Sequence, residues 1–270
     1  MPTLPRDGWA LHYEERGAGA PLLGIHGSPG SAAFWEDAAR ELASRARTIV
    51  YDRRGYHRSG PDRPALVDLD DAVDDAVALL EHLDAAPAVV MGRSTGGLVA
   101  LALAVRRPDL VRALVLLEPA VFALDRHAQR WADGLRKALL AAGDQPDPVQ
   151  ASRAVLDLVL GPGTWAGLDR VSREVYENAG AVLLAEVRGQ GLDLSAEPFA
   201  PTAEELAGVD LPVLVVTAAA SSETARAVDD RLADLLPDVR HVVVPDGRVI
   251  HPAHATVREF LGEVLPATER

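Results

Sequence analysis

The chain contains no cysteine in its 270 residues. Disulfides, thiolate metal sites and a thiol nucleophile are thereby excluded, and a side-chain nucleophile has to be an oxygen. Positive charge is also scarce: 27 Lys and Arg against 40 Asp and Glu leave a net charge of -13. Nucleic acid and anionic membrane surfaces both demand clustered cations, so neither is an expected partner. The basic residues are almost all arginine, Lys137 being the single lysine. Long apolar runs are missing too. No run reaches the length of a membrane span, and the opening MPTLPRDGWALHYEERG lacks the apolar stretch of a secretion signal. The expectation is a soluble, cytoplasmic protein. At this length a chain can bury roughly three quarters of its unfolded surface in one large domain, with or without an insertion.

What is present is an alternation of short apolar runs and amphipathic stretches. Trp9 to Arg16 alternates apolar and polar side chains before Gly17-Ala18-Gly19, as an edge strand and its turn would. Pro21 to Ile25 reads as a buried strand running into His26-Gly27-Ser28-Pro29-Gly30, whose glycines let backbone amides approach a ligand. A helix is expected over residues 33–46 and a strand over Thr48 to Tyr51. Asp52-Arg53-Arg54-Gly55-Tyr56 then packs both charge signs into one bend, read as a salt-bridged turn. Asp68 to Asp84 places Val73, Val77, Leu80 and Leu83 at helical spacing, with aspartates crowding its first turns. Those acids complement a helix dipole and lie around a solvated helix surface, without the loop geometry of a metal site.

The centre of the pattern is residues 87–107, PAVVMGRSTGGLVALALAVRR. Ala88 to Met91 is a strand buried on both faces, Leu98 to Val105 a buried helix, and Ser94 sits on the bend between them. Gly92 and Gly96 frame it as G-x-S-x-G, where small neighbours let a strained turn expose the hydroxyl. Strands at Ala113 to Leu117, Pro212 to Val216 and His241 to Val244, with helices between and after, extend the rhythm of a parallel sheet covered by helices on both faces. From about Val121 to Val209 that rhythm stops and the chain reads as helices and loops. This stretch carries Trp131, Trp165, Tyr176 and Phe199 in a chain only 4% aromatic, so it either lines a pocket or glues helices to the sheet.

In HGSPG at 26–30, YDRRGYHRSG at 51–60, GRSTG at 92–96, LVLLEP at 114–119 and the closing PVLVVT and HVVVPDG segments, the chain resembles the α/β-hydrolase fold family over nearly its whole length. The resemblance implies an α/β architecture: a mostly parallel eight-stranded sheet formed by residues 1–120 and 210–270, with a helical cap over 121–209 inserted after the sixth strand. It implies no cofactor and a small-molecule substrate. Ser94 would be the nucleophile, and the backbone amides of Ser28 and Thr95 the oxyanion donors. The family's usual acid after the seventh strand is absent, that stretch reading Thr217-Ala218-Ala219-Ala220-Ser221-Ser222-Glu223. Some members carry the acid at the end of the strand after the elbow helix, where Glu118 stands; Glu223 is the fallback. Arg248 occupies the position where the family commonly has its histidine, and a guanidinium is no general base near neutral pH. A shifted register makes His251 the base, with His254 the second choice and a site with no working base the third. His26 is expected to shape the loop behind the oxyanion site, and Arg248 and His26 are possible substrate-contacting or charge-stabilising groups. The implied activity is a serine hydrolase acting on an ester, thioester, lactone or similar acyl bond. The alternatives are a lyase or cyclase with an altered triad and, more remotely, a non-catalytic binding protein.

Overall fold

The computed structural model describes residues 2–6, 8–60, 65–143, 148–245, 247 and 249–266. The strands β1 (Thr3–Arg6), β2 (Trp9–Arg16), β3 (Pro21–Ile25), β4 (Arg47–Tyr51), β5 (Ala88–Arg93), β6 (Val111–Leu117), β7 (Val213–Ala218) and β8 (Val239–Val244) form one sheet. Their spatial order is β1-β2-β4-β3-β5-β6-β7-β8. β1 with β2 and β2 with β4 pair antiparallel, and all later neighbours pair parallel. β2 is therefore not the edge. The edge is β1, hidden in the sequence by Pro5, a residue an edge strand tolerates because no neighbour needs its missing N–H.

Helices α1 (Glu36–Leu42), α2 (Leu69–His82) and α3 (Thr95–Arg106) connect the first six strands. Between β6 and β7 lie α4 (Arg126–Gly143), α5 (Val149–Val159), α6 (Thr164–Gly167), α7 (Arg170–Arg188) and α8 (Ala203–Ala207). α9 (Glu223–Leu235) and α10 (Ala255–Val264) follow β7 and β8. The central strands are mostly apolar because both faces are covered. Val89 and Met91 of β5 point to a core with Trp35 and Val115, whereas Val90 points to one with Leu98 and Leu114. α3 is buried on every side from Thr95 to Ala104, which explains a helix with no polar stripe. A third apolar cluster, including Leu135, Leu139, Val155 and Leu184, belongs to the helices between β6 and β7.

The bend after β4 is salt-bridged as expected, and more deeply than a surface turn. Arg58 Nε donates to the buried Asp52 carboxylate at 2.8 Å, and Arg54 reaches Asp75 at 2.9 Å. Asp75 corrects the picture of α2 as a helix with only solvated acids: it is buried and also receives Arg6 Nε at 3.0 Å. The N-terminus of α2 is closed by Asp68 and Asp71 in a reciprocal capping box.

Candidate active site

β5 ends in an abrupt turn into α3, and Ser94 is its pivot, with φ 52° and ψ -123°. An L-residue pays strain for that conformation, and the surrounding packing enforces it. The Ser94 carbonyl accepts from Gly97, Leu98 and Ala120 amides at 2.8, 3.1 and 3.0 Å, while its own amide donates to Leu117 at 3.1 Å. The two motif glycines are dictated by contact: a Cβ on Gly92 would lie 2.2 Å from the Gly96 carbonyl oxygen, and one on Gly96 would lie 2.2 Å from that of Ile25. The loop after β3 closes on the serine from the other side. A Cβ on Gly27 would sit 3.1 Å from Ser94 Cβ and 3.7 Å from its Oγ. Ser28, the next residue, and Thr95, the first residue of α3, thus flank the hydroxyl in sequence. Among the described residues the Ser28 amide has no hydrogen-bond acceptor, and the Thr95 amide opens the helix, where donors are unpaired.

His26 is fixed within this loop. Its Nε2 accepts from the Arg53 amide at 2.9 Å, so the ring's proton is on Nδ1, which donates to the Gly27 carbonyl at 2.8 Å. Burial, and then the Arg53 charge, push its pKa down to about 3. A neutral ring with both nitrogens engaged shapes the loop and has nothing left for substrate.

Behind the loop lies a buried polar group that sequence reading missed. The Arg53 guanidinium holds the Ser28 hydroxyl and donates to Glu186 Oε1 of α7 at 2.8 Å, and Tyr56 Oη donates to Glu186 Oε2 at 2.8 Å. Arg53 and Glu186 are 3% and 4% exposed, so the pair is sealed from water. Asp193 is buried beside them; desolvation, and then the Glu186 charge, raise its pKa to about 7. The folded chain therefore keeps a proton on Asp193 that the unfolded chain releases near pH 4, so this group makes stability fall as pH rises between about 4 and 7. Asp193→Asn is expected to remove that slope and to stabilise the protein at pH 8 by a few kcal/mol at most. Urea midpoints at pH 5 and pH 8 for both proteins would check it; a slope undiminished in the variant would rule Asp193 out as a contributor.

Glu118, one residue past β6, also has a positive φ, 49°. Its Oε1 accepts from the Ala218 amide at 3.0 Å and from the Ser221 hydroxyl. Desolvation raises its pKa, against the opposing pull of that amide and of the Arg93 charge. Ser221, which stands where the family's usual acid is missing, is thus the partner of Glu118. Glu223 is an exposed first residue of α9, placed to complement the helix dipole.

Arg93, Ser94, Glu118, Phe122, Trp131 and Val249 are among the residues around a cavity of about 450 Å³. Its walls are the ends of β5 and β6, the helices α4 and α5, the segment before α9 and the segment after β8. Of the four aromatics singled out above, Trp131 lines it. Tyr176 packs on Phe34 with ring centres 5.2 Å apart, Phe199 rests against the sheet's core, and Trp165 lies under Arg173. Arg93, the residue before the serine, is the other participant unnoticed in the sequence. Its signal was legible: a charge between an apolar strand and an apolar helix needs a reason to be there.

The structure brings Ser94 and Glu118 to one cavity, with Thr95 and Gly27–Ser28 alongside; it does not bring His251 to them. Among the described residues the Ser94 hydroxyl makes no hydrogen bond, and His251 is exposed, with Nδ1 accepting from the Ala253 amide at 3.3 Å. His254 is the N-cap of α10, its ring accepting from the Thr256 amide. Arg248 lies outside the described residues.

A serine on a strained strand-to-helix bend, at the carboxyl end of a mostly parallel sheet, with a glycine loop packed against it, defines a class of α/β enzymes built around a nucleophile elbow. The sequence profile of the alpha/beta hydrolase fold family matches residues 20–248, and the chain belongs to that family as one of its hydrolases. It is similar to a protein of Azorhizobium caulinodans named "Putative carbamate hydrolase RutD", 29% identical over 94% of this chain and 93% of that one. A protein of the same name from Variovorax paradoxus is 32% identical over 89% of this chain and 90% of its own length. Among solved structures, Rv0554 of Mycobacterium tuberculosis aligns with TM-score 0.71 at 26% identity, over 96% of this chain and 95% of the other.

Proposed function

We propose that the chain is a cofactor-independent serine hydrolase that cleaves an ester, thioester, lactone or similar acyl bond of a small molecule through a Ser94 acyl-enzyme. The observation that carries this reading is the Ser94 backbone, at φ 52° and ψ -123°, which presents to the cavity a hydroxyl with no hydrogen bond among the described residues. Ser94 Oγ attacks the acyl carbonyl as a base takes its proton. The negative charge on the carbonyl oxygen falls to the Ser28 and Thr95 amides, and collapse expels the leaving oxygen, nitrogen or sulfur with that proton. Water then repeats the sequence on the acyl-enzyme. Residues 121–209 act as a cap over the sheet, supported by Phe122, Trp131 and the end of α5 at the cavity. Leu158, Val159 and Val249 are exposed apolar residues of the same cavity, which suits a substrate with an apolar body.

The base in this reading is His251, two residues beyond the cavity-lining Val249. With Nδ1 accepting from Ala253, the neutral ring carries its proton on Nε2. Catalysis needs the other tautomer, with Nε2 free to accept from Ser94 and Nδ1–H held by a carboxylate such as Glu118. The 3.3 Å contact is weak enough to exchange, and catalytic hydrogen bonds often align only with substrate bound. His251→Gln is expected to lower kcat at least about 10³-fold. An unchanged kcat in that variant would remove His251 from the mechanism.

The reading as a whole is tested by incubating the protein with a fluorophosphonate and locating the adduct by mass spectrometry. An adduct on Ser94, formed at a rate that competing esters slow, is the expected result. Consumption of a substrate by a protein whose Ser94 never reacts would instead favour lyase or cyclase chemistry and end this proposal.

A further inference from the structure

The Arg93 guanidinium has no hydrogen-bonded counter-ion among the described residues. Among the described residues it makes no hydrogen bond or ion pair, and its Nη2 is shielded from solvent with nothing to donate to. Arg58, by contrast, is held at 2.8 Å by Asp52 and at 2.7 Å by Glu14, and Arg54 by Asp75 at 2.9 Å. The groups nearest in charge to Arg93 are Glu118, whose Oε1 is engaged by Ala218 and Ser221, and the Tyr176 hydroxyl; neither hydrogen-bonds it. Desolvation lowers the Arg93 pKa to about 10, which leaves it charged at neutral pH. A buried donor without an acceptor is costly in a folded protein, and a guanidinium costs more than a neutral group. The chain nevertheless keeps one directly before its nucleophile, on the wall of the cavity that Ser94 lines.

We propose that Arg93 binds an anionic group of the substrate, a carboxylate within a few bonds of the acyl carbonyl that Ser94 attacks. The inference rests on the hydrolase reading above for its site, and goes beyond it in naming the substrate's charge. The planar fork of an arginine accepts a carboxylate in two parallel hydrogen bonds, giving orientation as well as affinity. The guanidinium is fixed to the residue that precedes the nucleophile, so it places the carbonyl along the chain from the anion. The apolar residues at the cavity, Leu158, Val159 and Val249, then take the remainder of the molecule. The substrate is thus an acid-bearing acyl compound with an apolar part. A fully neutral ester would leave the shielded Arg93 Nη2 unpaired, and so binds less well.

The test uses monomethyl succinate, glutarate and adipate against methyl pentanoate, together with thermal melting in glutarate against 1,5-pentanediol at matched ionic strength. The wild type is expected to favour the best anionic ester by about tenfold or more in kcat/KM, the size of one charge-assisted hydrogen bond. In Arg93→Gln that ratio should fall to near unity, and in Arg93→Lys it should fall part of the way. Glutarate should raise the melting temperature of the wild type and not that of Arg93→Gln, with circular dichroism showing that the variant folds. A wild type that prefers the neutral ester, or a glutarate shift that persists in Arg93→Gln, overturns the proposal. The two readings fail separately. Arg93-dependent stabilisation by glutarate without any ester cleavage or Ser94 labelling supports the anion site and ends the hydrolase mechanism. Ser94-dependent cleavage with no charge preference and no glutarate shift does the reverse.

Discussion

Ser94→Ala is expected to lower kcat for acyl-ester hydrolysis by about 10⁴–10⁶-fold, because the variant retains the binding cavity and the oxyanion amides but forms no acyl-enzyme. The fold should survive it. The elbow is held by the Ser94 backbone carbonyl and amide, not by the hydroxyl, which has no partner among the described residues. Ser94→Gly sharpens the experiment. At φ 52° and ψ -123° a glycine relieves strain that any side chain bears, so this variant should be inactive and yet more stable than the wild type by about 1 kcal/mol. Equilibrium urea unfolding would read the stability and a chromogenic acyl ester the rate. Glycine and alanine variants of equal stability would mean that the bend is not strained; full turnover in either would remove Ser94 from the chemistry.

The same strain explains why so much of the site was legible in the sequence. Gly92 and Gly96 are forced because a Cβ on either would lie 2.2 Å from a backbone oxygen, so the motif is written in residues that no side chain can replace. The buried strands were equally plain, because both faces of β5 and β6 are covered and the runs Ala88 to Met91 and Ala113 to Leu117 are apolar. What the sequence hid has a common character: it depends on which residues meet across the fold. β1 was masked by Pro5 and shows only as the partner of β2. Glu186 looked like one more acid on a long helix, yet it crosses from α7 to Arg53, 133 residues away. Asp75 belonged to an acidic helix face and proved to be the buried partner of two arginines.

The histidine is a different case. Registers near the end of a chain are set by turn geometry, not by apolar pattern, so HPAH could be read as base, helix cap or neither. The structure makes His254 the cap and leaves His251 exposed at a 3.3 Å contact with Ala253. Glu118 carried a better signal, since an acid that directly follows five buried apolar residues stands at a strand's carboxyl end, where ligands meet such sheets.

Glu186→Ala is expected to destabilise the protein by about 3–5 kcal/mol, since it leaves the Arg53 guanidinium charged, buried and without its carboxylate. A fall in melting temperature on the order of 10 °C would follow. Arg53 also holds the Ser28 hydroxyl, and through it the loop whose Ser28 amide the proposed mechanism assigns to the oxyanion. Stability and positioning can be separated by replacing the two charges together. In Arg53→Met with Glu186→Leu the buried pair gives way to apolar side chains of similar length, and stability should return to near that of the wild type. Turnover should not return with it, because the Arg53 hold on Ser28 is then gone; kcat would fall about tenfold or more while KM changes little. The charge of Glu186 also raises the Asp193 pKa, so Glu186→Gln should lower that pKa and shrink the loss of stability between pH 4 and 7. If the double variant recovered both stability and kcat, the pair would be a structural tie between α7 and the β4 bend, with no part in holding the oxyanion loop.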